Sequence, residues 1–241
     1  MMVHGVVHAA TSDYPTKPLR MVVPFAIGGA ADIVARLVAQ RLADMWGKPV
    51  VIDNRGGAGG VVGTETVAKA LPDGYTLLFG LQSTHAVNPA VYKDLPFDPI
   101  KDFTPVTLTA YSPQLLAIYP GVAAKTPQEF ISLAKSAPGR MSFGSSGTGS
   151  SPHLALELFK RAAGIDLVHV PYKGSGLAII DLIAGQVQAI NGGVAGFLPH
   201  VGYNRPAALW PQRQAEVALA GCPRSIAVRR APTWLVQSSA R

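Results

Sequence analysis

Two glycine- and serine-rich turns carry the residue types best suited to binding chemistry. The first is Pro24-Phe25-Ala26-Ile27-Gly28-Gly29-Ala30-Ala31-Asp32, and the second is Gly144-Ser145-Ser146-Gly147-Thr148-Gly149-Ser150-Ser151-Pro152-His153. Each follows an apolar strand-like run and opens an amphipathic stretch. Each therefore offers bare backbone N–H groups at the start of a helix, where partial positive charge collects. Two such cradles suit one small anion, and hydroxyls with N–H groups would hold a carboxylate without a cationic side chain.

Further candidates lie beside these turns. The loop 80–88 places Ser83, Thr84 and His85 after a third strand, and 54–60 is a glycine loop after a second. Ligands in open parallel sheets sit beyond the carboxyl ends of strands, where such loops gather. Asp32, in the first turn of its helix, reads equally as a favourable dipole contact and as a ligand contact. In Val170-Pro171-Tyr172-Lys173-Gly174, Lys173 could reach an anion and Tyr172 could wall an apolar side of the cleft.

Other chemistries fit less well. Gly57 and Gly59 supply G-x-G, but the third glycine of a dinucleotide fingerprint would fall on Val62, and no acidic residue ends a strand about 20 residues on. The nucleophile elbow G-x-S-x-G is missed because Gly144-Ser145-Ser146-Gly147-Thr148 ends in threonine, and nothing marks an acid to orient His153. His85, His153, His169 and His200 have no metal-ligand spacing. The expectation is therefore no catalytic residue, no metal and no cofactor.

The elements that must position these loops follow from hydrophobic periodicity. Strands are expected at 19–25, 49–53, 75–80, 106–112, 115–120, 141–144, 167–171 and 187–190. Helices are expected at 30–46, 61–71, 127–137, 151–163 and 175–184, several stopped by glycine at Gly47, Gly164 and Gly185. Helix 30–46 places Ile33, Val34, Leu37, Val38, Leu42 and Met45 on one face, and helix 151–163 places Leu154, Leu158, Phe159 and Ala162 inward. Alternating strands and helices argue for α/β architecture with parallel sheet. The pattern restarts after Pro105, so two lobes, 13–105 and 106–201, are expected, joined by extended crossings near Pro105.

Composition bounds the partners. The 241 residues are 48% hydrophobic and 15% charged, and no apolar run reaches the roughly 18 to 20 residues of a membrane span. The net charge of +7 is concentrated after residue 201, where six arginines face one glutamate. The body is nearly neutral, so a nucleic-acid footprint is not expected. All nine lysines precede that boundary, while Cys222, Trp210 and Trp234 follow it, and Pro206, Pro211, Pro223 and Pro232 interrupt every candidate element there. Residues 202–241 thus read as a divergent, disordered tail foreign to the fold, as a frameshift would produce. Residues 1–12 read as a leader remnant and form a poor export signal as written. The single cysteine leaves the redox compartment open.

In order along the chain, YPTKPLRMVVPF with Gly28-Gly29 and Asp32, then NR-x-GAGG, PDGYTLL, THAVNPAVYKDLPFDP, GSSG-x-GSSPHLALELFK, VHVPYKG and GQVQ cover Asp13 to Val201. This series resembles the extracytoplasmic solute receptors of tripartite tricarboxylate transporters, the Bug family. The resemblance implies an α/β fold of the two-lobed periplasmic binding protein class (type II, Venus-flytrap). It implies a monomeric periplasmic receptor, not an enzyme, that captures a small carboxylate and hands it to membrane transporter subunits. Backbone groups and ordered waters of the loops Phe25 to Gly29 and Ser145 to Ser150 would hold the ligand. Ile27 stands where the family usually has proline, and Ile190-Asn191-Gly192-Gly193 where an aromatic and an Asp or Asn are common. Because the family continues past Val201 with a strand and helices of the first lobe, the tail implies an incomplete first lobe. A truncated receptor that binds nothing and an NAD(P)-linked oxidoreductase are the competing readings.

Overall fold

A computed structural model of the chain describes residues 14–200 and two later strands, 208–211 and 231–238. The expected leader and the remainder of the expected tail lie outside the described residues. In chain order the elements are β1 (Leu19–Val23), α1 (Ala30–Trp46), β2 (Val50–Asn54), α2 (Val61–Ala68), β3 (Thr76–Leu81), α3 (Asn88–Val91), β4 (Phe103–Ser112) and β5 (Gln114–Ile118). There follow α4 (Pro127–Ser136), β6 (Ser142–Ser145), α5 (Ser151–Ala163), β7 (Val168–Pro171), α6 (Ser175–Ile183), β8 (Ala189–Gly193), α7 (Val194–Phe197), β9 (Ala208–Pro211) and β10 (Ala231–Ser238). They form two five-stranded sheets, ordered β2-β1-β3-β10-β4 and β7-β6-β8-β5-β9.

The strands β1, β3, β5 and β8 are buried on two faces, which is why they read as nearly continuous apolar runs. Along β1 the period of two divides the side chains. Leu19, Met21 and Val23 pack with Ala35 and Ala39 of α1, whereas Val22 joins Leu78, Val67, Phe97 and Phe103 on the opposite face. In the second lobe Leu116, Ile118, Phe130, Phe143 and Leu156 fill one face, and Leu115, Ala117, Ile179, Leu182 and Ile190 the other. Among the described residues no helix is long and apolar enough to cross a membrane.

The helix bounds 30–46 and 151–163 are observed as expected, because both ends carry local signals. Gly47 and Gly164 take left-handed φ values of 62° and 63° that close the C-termini. The inward faces agree with the expectation in part: Val34, Val38 and Leu42 of α1 and Phe159 of α5 pack on the cores. Leu37, Met45 and Leu158 are exposed, while Ala35, Ala39 and Leu156 are buried. Small alanines let α1 lie close to the sheet, with Val34, Val38, Leu42 and Trp46 packing beside them, and Leu37 and Met45 fall outside that stripe.

Two boundaries are corrected. β4 pairs with β10 over Phe103–Ser112 and so belongs to the first lobe. The crossing to the second lobe therefore lies at Pro113, between β4 and β5, and not near Pro105. The expectation that everything after residue 201 is foreign to the fold is also overturned. β9 is the edge strand of the second sheet, and β10 runs antiparallel between β3 and β4 in the first. The strand expected to be missing from the first lobe is thus supplied. The prolines that argued against strands sit where they break little. Pro211 ends an edge strand, and Pro232 faces Tyr111 of β4 before pairing with β3 begins at Thr233. The run Thr233-Trp234-Leu235-Val236 is the local signal, being β-branched and aromatic.

Candidate functional site

The turn before α1 is fixed by Asp32. Its carboxylate is 2% exposed, accepts the Gly28 N–H at 3.0 Å and Asn54 Nδ2 at 2.9 Å, and is ion-paired to Arg36 at 2.9 Å. Burial raises its pKa, but the hydrogen bonds from Arg36, Gly28 and Asn54 outweigh that and hold it below the usual carboxylate value. Both oxygens are engaged within the first lobe, so the acid braces the turn. Its charge is balanced by Arg36 and does not oppose an anion at the helix start. Gly28, at φ 86°, supplies the left-handed step that brings its N–H back to Asp32.

The second turn is braced from behind by a ring stack. The His153 ring lies on His169 at 4.1 Å between centroids, and His169 lies on Phe143 at 4.8 Å. Ser145 Oγ meets His169 Nε2 at 2.7 Å, and the Gly149 N–H donates to His153 Nδ1 at 3.3 Å. Ser150 caps α5 by accepting the His153 N–H at 3.4 Å. Burial first, then the neighbouring His153, pushes the His169 pKa down to about 4. Burial likewise lowers that of His153, so both rings are neutral near pH 7. An unprotonated Nδ1 is what Gly149 requires of His153.

The lobes touch along a seam of backbone. Ala26 N–H donates to Lys173 O at 2.9 Å, and Tyr92 OH to Thr148 O at 3.1 Å. Glycines permit the approach: a Cβ on Gly56 would lie 2.3 Å from Lys173 O, and one on Gly59 2.2 Å from Thr148 O. The glycine loop 54–60 is therefore filled by the opposite lobe. A pyrophosphate would have to displace that contact, which removes the support for a nicotinamide cofactor.

Beside the seam lies a cavity of about 280 Å³. Gly29 and Ala30 at the start of α1, Ser151 at the start of α5 and Ser175 at the start of α6 all line it. Three helices thus direct their N-termini at one space, and the first-turn N–H groups have no intrahelical acceptor. Phe25, Val34, Phe79, Leu81, Val194 and Leu198 give it apolar walls, and Ser83, Ser112, Ser146 and Gln114 add polar atoms. No described residue lining it is charged.

Of the residues singled out in the sequence, Phe25, Gly29, Ser83 and Ser146 line this cavity. The others support it or close the seam. Ala26 and Thr148 make interlobe contacts, as does Lys173 through its backbone carbonyl; the Lys173 side chain is exposed. Gly147, Gly149, Ser145, Ser150 and His153 shape the second turn. Ile27 is 65% exposed and lies off the cavity. Thr84 bonds back to Leu81 and to His85 Nδ1, whose ring packs edge-on to Phe103 at 5.0 Å. Tyr172 OH donates to Asp181 at 2.6 Å, and burial together with that carboxylate pushes its pKa up to about 12. It packs within the second lobe and does not wall the cavity. Sequence reasoning placed a helix start at Ser175 without marking it as a site residue, and it missed the crossing at Ser112 to Gln114. The glycine before Ser175 and the Pro113 break were the available signals. Among the described residues no group of three His, Cys, Asp or Glu could hold a metal.

Comparison with protein families matches residues 34–215 to the one described as "Tripartite tricarboxylate transporter family receptor". The chain belongs to this family. The match runs past residue 201, in keeping with β9 lying inside the fold. Among curated relatives, BugT of Bordetella pertussis is 38% identical over 199 residues, which cover 82% of this chain and 61% of BugT. The chain thus spans about three fifths of that relative's length. Among solved structures, an R. palustris protein with adipate is 33% identical with a TM-score of 0.85, covering 94% of this chain and 78% of that one. MatC from Rhodopseudomonas palustris, with bound malate, is 31% identical with a TM-score of 0.82, covering 93% and 79%. The fold is accordingly that of two-lobed periplasmic binding proteins.

Proposed function

We propose that this receptor-family chain binds a small carboxylate between its lobes, in the periplasm, and presents the closed form to the membrane subunits of a tripartite tricarboxylate transporter. The observation that carries this reading is the convergence of three helix N-termini on one cavity with no charged side chain among its described lining residues. Backbone N–H groups at Ala30, Ser151 and Ser175, with the Ser146 hydroxyl, would take the carboxylate directly or through water. Such fixed dipoles satisfy an anion with little reorganisation. Phe25, Val34 and Leu81 would cover the carbon skeleton. The relatives solved with adipate and malate support the ligand class.

Closure is the event a transporter would read, because the Ala26–Lys173 and Tyr92–Thr148 contacts exist only when the lobes meet. The monomer contains both jaws, so binding needs no second copy. The test is thermal shift and calorimetry of the whole chain against a panel of mono- and dicarboxylates. A ligand at 100 times its Kd stabilises the folded form by about 2.7 kcal/mol. A folded sample that gains nothing from any carboxylate at millimolar concentration refutes the reading.

A further inference from the structure

Gln114 opens β5 directly after the crossing between the lobes, and it lines the cavity. Its Oε1 is buried and, among the described residues, has no hydrogen-bond partner. A buried polar atom left unpaired is destabilising, and a water or a ligand atom ordinarily satisfies it. The walls around it are mostly apolar, and no described lining residue carries charge. Resting on the carboxylate reading above, we propose that Gln114 recognises a neutral hydroxyl or amide on the ligand, so that the cavity prefers a hydroxy- or amide-bearing monocarboxylate to a dicarboxylate.

The polarity argument does not depend on which way the amide of Gln114 points. A hydroxyl both donates and accepts, so it pairs with Oε1 or, after rotation of the amide, with Nε2. A second carboxylate only accepts, and its partners would be neutral donors, the Gln114 amide N–H and nearby serine hydroxyls, with no cation among the described lining residues. Removing a carboxylate from water without adequate partners is strongly unfavourable. The first carboxylate is different, since it takes the three helix N-termini.

Three six-carbon probes separate the cases: hexanoate, 6-hydroxyhexanoate and adipate, titrated into the whole chain by calorimetry at pH 7.5. The hydroxy acid is expected to bind about 3- to 10-fold tighter than hexanoate, the range for one net hydrogen bond, with adipate weakest. In Gln114→Leu and Gln114→Met the hydroxy acid loses that advantage, while hexanoate binds at least as well as to the parent. Adipate binding as tightly as 6-hydroxyhexanoate to the parent overturns the proposal and leaves the carboxylate reading standing. So does an unchanged preference in either variant. Binding of none of the three overturns this proposal, and the wider carboxylate panel above then decides the carboxylate reading separately.

Discussion

Gly176→Ala should open the receptor without weakening its fold. Gly176 is the second residue of α6, and a Cβ there would lie 2.0 Å from Ile27 O, with Gly28 C and Gly29 N both at 3.0 Å. All three atoms are backbone of the opposite lobe, so no side chain can rotate away. Ordinary contact begins at 3.4 Å, and the lobes must therefore separate by about 1.4 Å at this point. The Ala26 N–H to Lys173 O bond, 2.9 Å long, would stretch beyond hydrogen-bond range. Its loss removes about 0.5–1.5 kcal/mol, and the misfit at the seam adds about 1–3 kcal/mol.

The closed form should thus lose roughly 1.5–4.5 kcal/mol, weakening the proposed carboxylate binding by about 10- to 1,500-fold. The second lobe should behave in the opposite sense. Gly176 has an ordinary helical backbone, and alanine improves helix propensity by up to about 1 kcal/mol. Gly174→Ala is an independent repeat: its φ of 166° is extended backbone open to any residue, yet its Cβ would sit 2.5 Å from Ala26 N. Calorimetry gives the Kd, thermal melts without ligand give the fold stability, and small-angle scattering reports the opening. A Gly176→Ala protein with the parent's Kd within threefold would refute the argument that this seam belongs to the ligand-binding form. A lowered melting point without ligand would show that the glycine serves folding instead.

Two further outcomes follow from the braces behind the turns. The His169 pKa of about 4 lies below the ordinary 6.5, so its contribution to stability is fully present above pH 6.5 and is lost as pH falls through 6.5 toward 4. His153 shifts in the same direction, with Glu157 and Lys160 the charged groups nearest both rings. Urea midpoints should fall across that window, and His169→Asn should flatten the slope; an unchanged slope would place the acid sensitivity elsewhere. Asp32→Ala removes the acceptor for Gly28 and Asn54 and the partner of Arg36, and should destabilise the first lobe by about 2–3 kcal/mol in urea unfolding. A change under 0.5 kcal/mol would mean the turn holds its shape without the acid.

Much of the lobe architecture was legible because its signals are local. Helix 30–46 ends at a glycine that must take positive φ, and helix 151–163 begins at a serine whose hydroxyl caps it. The two turns were recognisable for the same reason, since glycine and serine at strand ends have few other uses. What the residue types could not reveal is how each turn is used. Asp32 and Lys173 carry charges that invite a ligand role, yet one is spent within its own lobe and the other contributes a backbone carbonyl to the seam. The glycines of 54–60 resemble a phosphate cradle because both tasks demand close backbone approach. Only the opposite lobe, 2.2 to 2.3 Å from where their Cβ atoms would lie, distinguishes them.

The later strands escaped for a different reason. β10 gains its place from partners more than 100 residues away, pairing with Leu77–Leu81 and Phe103–Ser112 at once. Its sequence, Ala-Pro-Thr-Trp-Leu-Val-Gln-Ser, has the residue types of a strand but not the alternation of a half-buried one. Pro232 is tolerated because the pairing with β3 begins one residue later. Seating β10 there also fixes β4 in the first lobe and so moves the crossing to Pro113, beside Gln114 and the cavity. The group placed to read the ligand's neutral end is thus positioned by strand pairing across the whole chain, which no local pattern around residue 114 could have disclosed.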